Sequence, residues 1–81
     1  MTENLETKTL SQLARLIQQD WKKVNYAAVP YLDAMHQLAT VDDAYYEDSG
    51  RSIVRYFLGN AGTWRGEVAK AIKAELKRRT A

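Results

Sequence analysis

Apolar residues return at helical spacing in four blocks of this chain. In the first, Leu10, Leu13, Ala14, Ile17, Trp21 and Val24 recur every three or four positions, and Leu16 widens the stripe. Thr9 stands before that block with Gln12 three residues on, the spacing of a capping box. The pattern predicts a helix from Leu10 to Lys22, with Lys22 and Lys23 near its negative end. In the second block, Tyr31, Leu32, Ala34, Met35, Leu38 and Ala39 form the inner arc of a helix predicted from Pro30 to Ala39. Proline suits a first helical position and disfavours helical backbone at Val29.

The third block, Ile53, Val54, Phe57, Leu58 and Ala61, predicts a helix over Gly50–Ala61, capped by Asp48 or Ser49. Gly59 weakens it by about 1 kcal/mol relative to alanine. The fourth, Trp64, Val68, Ala71, Ile72 and Leu76, predicts a helix from Trp64 to Arg78. Between these two helices, Gly62 is expected to turn left-handed and Thr63 to cap the last helix. Glu75 interrupts the last stripe, so its carboxylate is expected to meet an arginine or tyrosine of another helix, unless the core has ended there. Trp21, Leu32, Met35, Ile53, Phe57, Trp64, Val68 and Ile72 are the predicted core. The fold class is therefore all-α, a small irregular bundle of about four helices. Residues 1–8 are read as a flexible start, residues 9–81 as one domain, and residues 40–50 as its longest irregular stretch.

Charge changes this picture more than composition does. The net charge of +2 conceals a division along the chain. Residues 25–50 hold five acids and no Lys or Arg, whereas residues 51–81 hold eight cations against two acids. An acidic middle is expected to neutralise the basic end within the fold, which weakens a simple nucleic-acid reading. The absence of cysteine excludes disulfides, thiolate metal sites and thiol nucleophiles. With no long apolar run and a polar start, the chain is expected to be cytoplasmic.

Candidate chemistry is sparse. His36, three residues after Asp33, has no nucleophile in a recognisable motif and reads as a surface histidine. Asp42, Asp43, Glu47 and Asp48 lack the alternation of a calcium loop and read as caps and solvated charge. Neither a metal nor a cofactor is expected, and enzyme activity is not. Tyr45 and Tyr46 stand beside these acids, and one of the two is expected to pack inward while the other faces solvent. Asp42, Asp43, Tyr45 and Tyr46 are thus candidate protein-interaction residues, for self-association as a homodimer or for another protein. Tyr46→Ala and Asp43→Lys are expected to weaken association without unfolding the monomer. On the last helix, Lys70, Lys73 and Lys77 fall within about 60° on a helical wheel. With Arg65 they form the alternative site, the basic face of a DNA-reading helix.

Two stretches, Asp20–Met35 (DWKKVNYAAVPYLDAM) and Ile53–Leu76 (IVRYFLGNAGTWRGEVAKAIKAEL), resemble a family of small helical proteins encoded by bacteriophages and prophages. The family has no assigned activity. The resemblance implies a small helical domain on a mobile element and carries over no catalytic residue. Together these readings favour a non-enzymatic helical interaction module, with DNA binding through the last helix as the alternative.

Overall fold

The computed structural model describes residues 5–81, and four α-helices make up most of them. A 3-10 turn, Leu5–Thr7, leads into α1, Leu10–Asp20. Leu5, which the sequence places in a flexible start over residues 1–8, packs against the core; residues 1–4 lie outside the described residues. The capping box forms as the sequence predicts: Thr9 Oγ1 accepts from the Gln12 amide at 3.1 Å, and Gln12 Oε1 accepts from the Thr9 amide at 2.7 Å. The next free donors of α1, the amides of Leu10 and Ser11, bond to the Ala39 and Leu38 carbonyls at 2.9 Å each.

Helix α2 spans Val29–Met35 with Pro30 in its first turn. It is shorter than predicted, because after His36, itself still helical in φ and ψ, the amides of Gln37 and Leu38 bond three residues back instead of four, and Leu38 enters the core from the connection. A two-stranded antiparallel hairpin comes next, β1 at Ala44–Tyr45 and β2 at Asp48–Ser49. Helix α3, Gly50–Gly59, is N-capped by Ser49, whose hydroxyl accepts from the Ser52 amide at 3.1 Å. Helix α4 spans Glu67–Thr80, starting three residues later than predicted.

That late start overturns the predicted corner. Gly62 does not have a positive φ, and Thr63 caps nothing; the glycine with positive φ is Gly66, at 115°, which precedes α4 without a side-chain cap. The inward face of α4 turns accordingly. Ala69, Ile72, Glu75, Leu76 and Thr80 are buried, while Val68, assigned to the core from the sequence, and Ala71, on the predicted apolar stripe, are exposed.

The other seven predicted core residues are buried together. At their centre Trp21 stacks on Trp64, with ring centroids 5.8 Å apart, and Phe57 meets both edge-on at 6.2 and 6.5 Å. The Trp64 indole donates to Asp20 at 2.8 Å, so the one polar atom of that ring is satisfied at the core's edge.

Long-range hydrogen bonds fix the direction of every helix. Asp20, ending α1, meets Trp64 ahead of α4, and the Leu5 carbonyl ahead of α1 accepts from Arg79 near the end of α4 at 2.7 Å. Asn25, ahead of α2, donates to the Asn60 carbonyl after α3 at 3.3 Å. Arg51 and Arg55 of α3 donate to the Arg79 and Thr80 carbonyls at 3.2 and 2.9 Å. Neighbours therefore alternate in direction, up-down-up-down. The connections over residues 21–28 and 60–66 share one pole; residues 36–49, with the hairpin, occupy the other.

Candidate functional site

The hairpin pole is built by a few specific contacts. Asp43 Oδ2 accepts from the Ala39 and Thr40 amides at 2.9 and 3.0 Å, closing the turn after α2. Those bonds, from Thr40 first and Ala39 second, hold its carboxyl below the usual aspartate range. The Gly50 amide donates to the Asp43 carbonyl at 2.7 Å and the Arg51 amide to the Val41 carbonyl at 2.9 Å. Only glycine fits at position 50: a Cβ there would lie 2.7 Å from the Thr40 carbonyl oxygen. Asp43 is thus a structural turn residue. The expectation that Asp43→Lys spares the monomer is corrected, because the substitution removes two backbone partners.

The hairpin presents its side chains unequally. Tyr45 is half-buried against the core, and Tyr46 is 86% exposed, packed edge-on against Tyr45 at 4.7 Å. Tyr46 adopts φ 56°, the only non-glycine positive φ among the described residues. For an aromatic residue that is a costly conformation, ordinarily left to glycine, asparagine or aspartate. Asp42, Glu47 and Asp48 are exposed around it, and among the described residues only Asp42 of the three approaches a cation, Arg51 at 3.8 Å.

The basic residues fare differently from one another. Lys73 is no solvated lysine: its ammonium donates to the Trp64 carbonyl at 2.6 Å and lies 5.8 Å over the Trp64 ring. Burial, then the nearby Lys77 and Arg65 charges, pushes its pKa down. Arg65, Lys70 and Lys77 are exposed. The arginines at the other end of α4 are engaged by Glu75, Arg79 largely covered and Arg78 exposed. Glu75 binds Arg78 and Arg79 at 2.5 Å each, partners from its own helix rather than from another as predicted. The Arg78 bond, followed by those of Arg79, holds the buried Glu75 carboxyl below the usual glutamate range, against the opposing effect of burial.

The pole away from the hairpin carries residues that periodicity alone does not join. Lys22 and Lys23 lie beyond the end of α1, and Tyr26, 88% exposed, sits on the turn ahead of α2. The string KKVNY is their signal in the sequence, but helical spacing assigns its lysines to the helix end.

His36 is half-buried beside a shallow groove formed with Thr9, Ser11 and Leu38. Among the described residues, no group of three His, Asp or Glu side chains is placed to hold a metal ion. No helix among them is long and apolar enough to cross a membrane. Comparison with protein-family models, with curated proteins and with solved structures gives no match to this chain.

Proposed function

We propose that this protein is a non-enzymatic, cytoplasmic interaction module, of the mobile-element type suggested by its phage-like stretches, that docks on a partner protein through the hairpin pole. The observation carrying this reading is Tyr46, an aromatic ring almost wholly in water and held there by a backbone conformation that disfavours it. Backbone strain persists where the surroundings over-determine it, and it concentrates at binding sites. Tyr46 supplies the aromatic anchor, and Asp42, Glu47 and Asp48 supply an acidic rim that steers a basic partner. The partner is another protein or a second copy of the chain, whose exposed Lys70 and Lys77 have the complementary sign.

Tyr46→Gly separates the two roles of this residue. It removes the ring and relieves the left-handed backbone, so it should raise stability by about 1 kcal/mol while association is lost. A photocrosslinking residue in place of Tyr46 should capture a discrete protein partner in cells, and capture should fall when Glu47 and Asp48 are replaced by lysine. Absence of any crosslink, together with a constant mass of 9.3 kDa at all concentrations and salt levels, rejects the reading.

A further inference from the structure

The fold sorts the charges of its connections by pole, with Arg51 and the cations ending α4 beside the hairpin acids, and the pole opposite the hairpin has the composition of a nucleic-acid surface. The connections over residues 21–28 and 60–66 contain Lys22, Lys23 and Arg65 and no acid. The connection over residues 36–49 contains Asp42, Asp43, Glu47 and Asp48 and no Lys or Arg. Helix α3, ten residues long, stands between the poles. At about 1.5 Å per residue it holds them roughly 15 Å apart, beyond the screening length of about 8 Å at physiological salt. The hairpin acids therefore face Arg51 and the cations at the end of α4 and leave Lys22, Lys23 and Arg65 at the far pole without them.

Two contacts bring the basic connections side by side. Trp21 stacks on Trp64 at 5.8 Å, setting the next residue of each, Lys22 and Arg65, on neighbouring strands of chain. Asn25 donates to the Asn60 carbonyl at 3.3 Å, and its side-chain oxygen accepts from the Ala27 amide at 3.1 Å, which fixes the turn that displays Tyr26. Lys70, exposed in the first turns of α4, extends the cations onto the helix. Two carboxylates lie close by, Asp20 and Glu67, and Asp20 is engaged by the Trp64 indole.

We propose that Lys22, Lys23, Arg65 and Lys70 bind the phosphodiester backbone of single-stranded nucleic acid while a base stacks on Tyr26. The aromatic ring is what selects the single strand. A duplex satisfies the lysines and the arginine equally well, but its bases are already stacked on each other, whereas a single strand offers a free base face. This surface is not the recognition helix considered from the sequence: Lys73 is withdrawn onto Trp64, and α4 has neither Asn nor Gln to read a base edge. Binding is therefore by charge and stacking, without sequence preference.

The test is a titration of fluorescent oligothymidylate with the full chain at low salt, beside a duplex of equal length and vesicles containing anionic lipid. The expected result is saturable binding in the range of about 1–100 µM. The logarithm of affinity should fall with the logarithm of salt at a slope of about −3, roughly 0.7 for each of about four phosphates. Tyr26→Ala should weaken binding about tenfold or more, Tyr26→Phe should retain it, and combined Lys22→Glu, Lys23→Glu and Arg65→Glu should abolish it with the helical spectrum unchanged. Tyr46→Gly, at the other pole, should leave it intact. Equal or tighter binding to duplex, preference for vesicles, indifference to Tyr26→Ala, or no saturation near about 100 µM each overturns the proposal.

Discussion

Single residues here illustrate how position decides what a side chain does. Gly62 and Gly50 look alike in the sequence, and the sequence assigns the conformational role to Gly62. The structure reverses this. A Cβ at Gly62 meets nothing within 4 Å and the backbone there has no positive φ, whereas a Cβ at Gly50 strikes the Thr40 carbonyl oxygen. Gly62→Ala should therefore be neutral or stabilising, by up to about 1 kcal/mol, and Gly50→Ala should cost about 1–3 kcal/mol; chemical denaturation of both variants checks the pair. Glu75 is a second case, since periodicity registers a buried acid only as a break in a stripe. Its pKa is lowered below 4.5, so its contribution to stability is fully present above that value and is lost as pH falls through the lower folded-state pKa. Asp43 adds a contribution of the same sign, starting from 3.8. Melting temperature followed between pH 6 and about pH 3 should show a steeper acid limb in the parent than in Glu75→Gln, which begins less stable at neutral pH.

Helices were legible in the sequence in proportion to how sharply their ends are marked. α1 has a capping box and an unbroken apolar stripe, and α3 has a serine cap, so both starts fall where the sequence puts them. α4 has neither signal. Its alanines at 69, 71 and 74 give two nearly equivalent inward faces, and Trp64 extends the apparent periodicity back into a segment that is not helical. The hairpin escaped notice because strands of two residues leave no alternation to read, and Tyr-Glu is no usual two-residue turn. Of the candidate site residues, the division of Tyr45 and Tyr46 into one inward and one exposed ring was legible, but not which of the two faces solvent. The structural duty of Asp43 was not, because its partners are backbone amides. Lysine placement gives the sharpest element-scale prediction. Lys73→Ala should destabilise the domain by about 1–3 kcal/mol, through the lost charged hydrogen bond and ring contact. Lys70→Ala, on the exposed face, should fall within about 0.5 kcal/mol of the parent in a thermal melt.

At the scale of the whole molecule, topology sorts the charges of the connections, while Arg51 and the cations at the end of α4 share the pole of the hairpin acids. An alternating bundle sends successive connections to opposite poles, so acid-free and base-free connections segregate even though they are interleaved along the chain. Each pole also exposes one tyrosine, Tyr26 with the lysines and Tyr46 with the acids. No linear scan of charge shows this, because the basic Lys22–Lys23 pair and Arg65 lie more than forty positions apart and meet only through the stacked tryptophans.

The arginine ties at the end of α4 also bear on the order in which the chain assembles. Arg79 reaches the Leu5 carbonyl across 74 positions, while Arg51 and Arg55 reach the last turn of α4 across 28 and 25. Closing so long a loop costs entropy before its contacts return anything, so the tie to Leu5 should form after the transition state has been crossed. Arg79→Ala should then leave the refolding rate nearly unchanged and put its whole effect into faster unfolding, a φ-value near zero on a chevron plot. The guanidinium that joins the two ends of the described chain would then act as a brake on opening rather than a guide to folding.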